Sequence, residues 1–244
     1  MTPPMLPRIR DFEHVVFFTG AGMSAQSGVP TYRGKGGIWK DYDYENCACQ
    51  TAFDRDPEHV WEFHNYRREL VAKCEPNDGH RLIARCEQVR PNVTVVTQNI
   101  DGLHQAAGSQ RVLELHGSLW KVRCDACDWS ELDRSAPVKN LCCPACVKAY
   151  KRPHIVWFGD SLFPAVLEQV AQALRTCDLL ISIGTSAVVY PAADMPLIAK
   201  QVGATLVEVN PEETPLSYAY DHHMRMSATA ALAELAEGLE PAPT

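Results

Sequence analysis

The sequence contains no run of lysine and arginine longer than two, and its 30 acidic residues outnumber 23 basic ones, for a net charge of −7. A chain of that sign has no global field to draw in polyanions, so neither nucleic acid nor a membrane surface is expected as a partner. No apolar stretch approaches the roughly 20 residues that a bilayer-spanning helix needs. The opening MTPPMLPRIRDFEH lacks the apolar core of a signal peptide. There is no internal repeat and no low-complexity tract. These absences lead to the expectation of an intracellular, cytoplasmic protein. Aromatic residues make up only 8%, yet 46% of the 244 residues are apolar. That is enough for a sizeable core in one large domain, or in a domain with a smaller insert. Ten cysteines would suit disulfides in a secreted chain. Here four stand in CxxC pairs, which in a reducing compartment favours metal. Cys47, Cys49, Cys74, Cys86, Cys142 and Cys177 are read as reduced thiols.

Four β-rich runs end in small or polar residues: VVFFTG (15–20), VTVVTQN (93–99), LLISIGTS (179–186) and TLVEVN (205–210). A fifth, RVLELHG (111–117), alternates less cleanly. Near-continuous Val/Ile/Leu runs mark strands buried on both faces, as in a parallel sheet covered by helices. Helical patterns lie at 57–74, 78–90, 164–176 and 192–202. The alternation predicts an α/β fold, a Rossmann-like parallel sheet flanked by helices. It is assigned to 12–32, 93–117 and 156–236. Residues 33–92, a helical module, and 118–155, holding the paired cysteines, are expected to form a smaller inserted lobe. The Pro-rich tails 1–11 and 237–244 are expected to be loose.

VVFFTGAGMSAQSG places Gly20, Gly22 and Ala25 in a G-x-G-x-x-[GA] pattern straight after a strand. Glycine lets the backbone approach a pyrophosphate, and a following helix N-terminus offers free N–H groups. The acidic residue that usually ends the second strand of such a unit is missing, because RGKGGIWKDYDYEN is no strand. A later strand runs into V-E-V-N-P-E, where Asn210 and Glu212 are candidates to hold an adenosine ribose. Cys124-x2-Cys127 and Cys143-x2-Cys146 are separated by 15 residues, the spacing of a tetrahedral zinc ribbon. Cys142 stands beside Cys143 and is the alternative third ligand. Four thiolates close the coordination shell, so the ion is expected to be structural. His116, eight residues before Cys124 in ELHGSLWKVRCDAC, is then not needed by the metal. From position alone, a histidine at a strand end most simply bonds a neighbouring carbonyl.

GAGMSAQSGVPTYR, TQNIDGLHQAAG, LHGS, the two CxxC pairs, PHIVWFGD, GTSAVVYPA and VNPE follow one another in this order. As a set they resemble the sirtuin family of NAD-dependent protein lysine deacylases, over roughly residues 12–236. HNYRR (64–68) and PHIVWFGD are similar to the class III branch, which includes desuccinylases and demalonylases. The resemblance implies that NAD binds between the Rossmann-like lobe and a zinc-bearing lobe. Gly20, Ala21, Gly22 and Ser24 would line its phosphates, with Arg33 and the Thr31–Trp39 loop closing over it. Gln98, Asn99, Ile100 and Asp101 would hold the nicotinamide ribose. Gly184, Thr185, Ser186, Asn210, Pro211, Glu212 and Ala228 would surround the adenosine half. The acylated lysine of a protein substrate would enter as a strand between Val156, Trp157, Phe158 and Gly159 on one side and Val188–Tyr190 on the other. In the family's chemistry nicotinamide leaves, the acyl oxygen attacks the ribose carbon, and a base then deprotonates a ribose hydroxyl. His116 matches that base, a task suited to a side chain titrating near neutrality, with Asn99 and Asp101 as its catalytic companions. The products would be nicotinamide and O-acyl-ADP-ribose.

Class III members grip an acyl carboxylate with a Y-x-x-R pair on one helical face. Here the matching residues are His64 and Arg67, with Ala48 as the small residue that leaves room for the acyl chain. Tyr66 lies about 200° around a helix from His64 and is a poor replacement. Acidic acyl groups are expected still to enter, with His64 donating to a carboxylate when protonated or leaving space for bulkier chains. Arg67 and Arg68 would otherwise read as a solvated helix face. Acetyl, succinyl and malonyl groups are all candidates, and a monomer is expected. The competing readings are mono-ADP-ribosyl transfer and a zinc-ribbon interaction module without catalysis.

Overall fold

The computed structural model describes residues 6–31 and 43–239. Among these, β1 (Val15–Thr19) leads into a short helix α1 (Ala21–Ser24), and α2 (Tyr44–Cys47), α3 (Gln50–Arg55), α4 (Pro57–Val71) and α5 (Asp78–Val89) follow. Then come β2 (Val93–Thr97), α6 (Leu103–Ala106), β3 (Val112–Glu114), β4 (Gly117–Cys124), β5 (Ser130–Leu132) and β6 (Lys151–Ile155). The chain continues through α7 (Pro164–Thr176), β7 (Leu179–Ile183), α8 (Pro196–Gln201), β8 (Thr205–Val209), β9 (His222–Met224) and α9 (Ala228–Leu235).

Six strands form one parallel sheet in the order β3-β2-β1-β7-β8-β9. Alternate residues of each strand point to opposite faces, and both faces are covered. Val15, Phe17, Val93, Val95, Ile181 and Val207 pack with Ile83 of α5 and Ala231, Leu232 and Leu235 of α9. Val16, Phe18, Val96, Leu180 and Leu206 pack with Val170 and Leu174 of α7 and Ala199 of α8. Burial on both sides is why these strands read as unbroken apolar runs. The chain proceeds from β1 outward on one side and restarts at β7 on the other. A crevice therefore opens at the carboxyl ends of β1 and β7, the place where such sheets bind ligands.

A second sheet, β5-β4-β6, is antiparallel and sits on its own core. That core takes Ala48, Ala52 and Phe53 from the α2–α3 region and Val60, Trp61 and Val71 from α4, against Leu119, Trp120, Val122 and Trp157. The expected helical insert is thus divided between the two cores. α5 leaves the small lobe because its apolar side, Ile83 and Cys86, is buried on the large sheet. The tails also differ from expectation where they are described: Ile9 is fully buried, and Leu6 and Leu239 pack beside it. The pattern expected at 192–202 splits into a 3-10 turn, Ala192–Asp194, and α8, which starts at Pro196. Proline suits a first helical position but cannot continue a helix through it.

The run 111–117 does not form one strand. β3 ends at Glu114 and β4 starts at Gly117, so the chain crosses from the large sheet to the small one at Leu115–His116. Gly117 makes the crossing at φ +76, and a Cβ there would stand 2.0 Å from the His154 carbonyl oxygen. Only glycine fits that approach.

Arg68 anchors α4 to the small sheet and is not a solvated residue. Its fully buried guanidinium donates to the carbonyls of Ser135 (2.8 Å), Leu119 and Asp133 and pairs with the Asp133 carboxylate at 3.1 Å. Replacing Arg68 by methionine leaves three carbonyls and a carboxylate without their donor. A loss of about 3–5 kcal/mol is expected in urea denaturation; a loss below about 1 kcal/mol would remove Arg68 from this role.

Candidate active site and metal centre

At the mouth of the crevice the two glycine turns touch. Gly20 donates to Ile183 O and Gly22 to Gly184 O, each at 2.9 Å. A Cβ on Gly22 would lie 2.6 Å from Gly184 Cα, so side chains are excluded by backbone contact. α1 runs for only four residues before a 3-10 turn. The expected anion site therefore rests on close backbone approach and much less on a helix dipole, which grows with helix length.

From this point a cleft of about 830 Å³ runs between the two lobes. Its lining includes Gly20, Ala21, Gly22, Thr31, Gln98, Asn99, Ile100, Gly184, Thr185, Ser186, Asn210, Pro211, Glu212 and Ala228. Nearly every residue singled out for the dinucleotide is thus brought together. Ser24 and Asp101 stand behind that wall, and Arg33 and Trp39 lie outside the described residues. On the adenosine side Asn210 donates to Thr185 O at 2.8 Å. Beneath it the buried Glu208 carboxylate accepts from Thr214, Ser217 and Arg225, which hold it below its ordinary pKa despite burial.

The floor is a buried polar network. Asn99 Nδ2 donates to Gly20 O (3.0 Å) and to Ser24 Oγ (3.1 Å), and Ser24 donates to Asp101 Oδ2 at 2.7 Å. The other Asp101 oxygen accepts from Leu103 N–H at 2.9 Å. Burial raises the Asp101 pKa, and these donors oppose the rise. His80 Nδ1 accepts from Asn77 N–H, so its proton sits on Nε2, 3.4 Å from Ser24 Oγ. His104 meets Thr19 Oγ1 at 3.0 Å, and Thr19 in turn meets Thr97. Burial pushes His80 down to about 4 and His104 to about 3, so both are neutral. Sequence reasoning missed Thr19, Thr97, His80 and His104. For His80 a signal existed: Asn77 caps α5 in a capping box, with the His80 side chain turned back toward the cap.

His116 lies in the cleft wall. Its Nδ1 is 3.0 Å from Gln98 O. A carbonyl only accepts, so Nδ1 carries the proton and Nε2 is left as a base. The plain reading of His116 as a carbonyl-bonded strand-end histidine and the catalytic reading therefore describe the same ring. Burial lowers its pKa, and the Gln98 carbonyl opposes that by stabilising the protonated form.

At the other end of the cleft stand Ala48, His64, Arg67, Val156, Trp157, Phe158, Gly159 and Tyr190, joined by Phe63 and Val189. Val188 points away, half exposed, because its neighbour Val189 takes the inward position. His64 departs from expectation. It is buried, and Nε2 accepts from Trp157 Nε1 at 3.2 Å. Burial first, then the charges of Arg67, Arg152 and Arg68, pull its pKa well below the usual value. Those neighbours disfavour the protonated form of His64 that was expected to grip a carboxylate. Arg67 is buried in the wall, its guanidinium 5.9 Å from the Phe63 ring centre. Tyr66 is half exposed on another side of α4.

The Sγ atoms of Cys124, Cys127, Cys143 and Cys146 lie within 4.8 Å of one another. The Cys124–Cys146 and Cys127–Cys143 separations are 3.7 and 3.8 Å. A tetrahedron of about 2.3 Å Zn–S bonds has thiolates about 3.8 Å apart, so the residues fit zinc. Disulfides need about 2.05 Å. Cys142 is exposed and stays outside the cluster, which resolves the choice in favour of Cys143.

These features define a dinucleotide-binding α/β protein with a four-thiolate zinc knuckle in a second lobe. The chain belongs to the Sir2 family, whose model matches residues 20–191. It is 45% identical over 221 residues to an NAD-dependent protein deacylase of Aquifex aeolicus, covering 90% of this chain and 92% of that one. It is 42% identical to the mitochondrial NAD-dependent protein deacylase sirtuin-5 of Canis lupus familiaris, covering 87% and 77%. A mutant Sir2 homologue in complex with 2′-O-acetyl ADP ribose superposes with a TM-score of 0.86 at 44% identity, covering 92% and 91%. Among the described residues no helix is long and apolar enough to cross a membrane.

Serine at Cys143 is expected to abolish binding of one zinc per chain and to unfold the small lobe. Serine at Cys142 is expected to leave zinc content unchanged. Metal analysis of the two purified variants with a thermal melt decides it, and zinc loss from the Cys142 variant would reverse the assignment.

Proposed function

We propose that this chain uses NAD to remove acyl groups from protein lysines, releasing nicotinamide and O-acyl-ADP-ribose, and that its acyl pocket is of the class III kind. The observation that carries the reading is the unprotonated Nε2 of His116 in the wall of a cleft that Ala48, His64 and Arg67 also line. NAD supplies an electrophilic ribose carbon and nicotinamide as its leaving group. The side-chain-free contact of Gly22 and Gly184 suits a diphosphate pressed against backbone. Gln98, Asn99 and Ile100 would meet the nicotinamide half, with Ser24 and Asp101 holding Asn99 in place from behind. Thr185, Ser186, Asn210 and Glu212 would take the adenosine half. His116 receives a ribose hydroxyl proton at Nε2, and the Gln98 carbonyl steadies the cation that results.

In the acyl pocket, Arg67 is the residue proposed to read an acidic acyl group, through a charge-assisted bond to its carboxylate. His64 contributes a neutral wall. The substrate strand would lie along 156–159. Three donors there are already used: Val156 N–H goes to His116 O (3.0 Å), Trp157 N–H to Asp160 (3.1 Å) and Phe158 N–H to Ala48 O (3.1 Å). An incoming strand must therefore donate on this side.

Because the base works unprotonated, kcat/KM is expected to rise with pH through a midpoint below 6.5, the ordinary histidine value, and then to level off. His116→Ala is expected to cost about 100-fold or more in kcat while the protein still folds, its melting temperature lowered by the loss of the bond to Gln98 O. A folded variant with near-native turnover would end the assignment. On one peptide carrying either acyl group, Arg67→Met is expected to lower succinyl kcat/KM about 10- to 100-fold, the worth of a charged hydrogen bond, and acetyl only a few-fold. Equal losses would show that Arg67 does not read the carboxylate. Following label from NAD in the same assay tests the competing chemistry, since label on protein would indicate ADP-ribosyl transfer.

A further inference from the structure

Trp157 is gripped from two directions by residues that the proposed chemistry does not use. The Arg152 guanidinium lies 3.7 Å from the centre of its ring, with the side chain almost wholly buried. The same guanidinium donates to Asp160 Oδ2 (2.8 Å), to Ile155 O (3.2 Å) and to Gln50 Oε1 on α3. Asp160 Oδ2 also accepts from the backbone N–H of Trp157, and Asp160 N–H returns to Trp157 O, closing residues 157–160 into a tight loop. At the edge of the indole, His64 Nε2 accepts its N–H, the two rings inclined by only 21°. This bond requires His64 to stay uncharged, because a protonated ring would turn a second donor toward the indole.

We propose that Arg152 is a positioning residue for the acyl-lysine substrate, acting through Trp157 in concert with His64. Arg152 is not among the residues lining the cleft, so its influence reaches the substrate only through what it holds. The cation on the ring face and the acceptor at the ring edge leave the indole no freedom to tilt. The fixed indole sets the width of the acyl pocket. The closed loop sets the strand at 156–159, which is tied to His116 through Val156 N–H. The inference rests on reading that strand as the seat of the peptide.

Steady-state kinetics on acetylated and succinylated forms of one peptide test it. Arg152→Lys cannot cover the indole and keep three acceptors, and His64→Leu removes the acceptor at the ring edge. Each is expected to raise the KM for both peptides about tenfold, roughly the worth of one hydrogen bond. The KM for NAD should stay within about twofold. His64→Gln, whose amide oxygen again accepts from the indole, is expected to restore most of the loss. Asp160→Ala, at a part-exposed position, gives the same readout if the Arg152 variant fails to fold. Equal changes in the KM for peptide and the KM for NAD, or a His64→Gln variant as impaired as His64→Leu, would overturn the inference. Phe158→Ala separates the two layers. If it leaves the peptide KM unaltered, the seat itself lies elsewhere and the clamp falls with it. If it raises the peptide KM while the Arg152, Asp160 and His64 variants do not, the seat stands and the clamp alone is wrong.

Discussion

His116 is bonded across the gap between the two sheets, and the rest of the site depends on that bridge. Its ring donates to the Gln98 carbonyl beyond β2, and its own carbonyl accepts Val156 N–H beyond β6. The first bond sets the tautomer and the second places the loop that carries Trp157. Both follow from a chain that leaves the large sheet at Glu114 and joins the small one at Gly117. A side chain at Gly117 would collide with the His154 carbonyl, so the two lobes and the base are registered by one backbone contact.

The floor of the cleft has its Ser24, Asn99 and Asp101 side chains already paired. Ser24, Asn99 and Asp101 bond to one another and to the backbone, and the neutral His80 and His104 fill in behind them. Buried groups left unpaired would cost about 1–3 kcal/mol each. Pairing them in advance keeps this part of the cleft rigid. Elsewhere in the cleft the Trp157 indole, the His64 imidazole and the Arg152 guanidinium are mutually oriented, and Arg67 supplies a cation in the wall. The four thiolates close a knuckle where β4 ends, Cys124 being paired with Lys151 of β6.

Much of this was legible beforehand. The apolar strands read as a doubly covered sheet because they are one, and CxxC spacing is set by the reach of a tetrahedral ion. Counting the thiolates freed His116 from the metal, and only the resemblance offered it a further task. Less was visible where spacing carries no sign of direction. Whether α5 packs on the large sheet or the small one depends on which face finds a partner. Ser24 and Asp101 had the right identity but turned out to lie behind the wall. Arg68 looked like a solvent residue, because burial of a long cation depends on carbonyls that come from β4 and the loop after β5, 51 to 67 residues away.

The sequence by itself determined the alternation of strands and helices, the glycine turn after β1 and the metal knuckle. Each of these is set by neighbours in the chain or by residue chemistry alone. Tertiary structure decided the charge of His64, the choice of Cys143 over Cys142, and the company Trp157 keeps. Those outcomes come from burial and from partners brought together across long separations in the chain, where the local dielectric and the direction of a hydrogen bond outweigh the intrinsic preference of any one side chain.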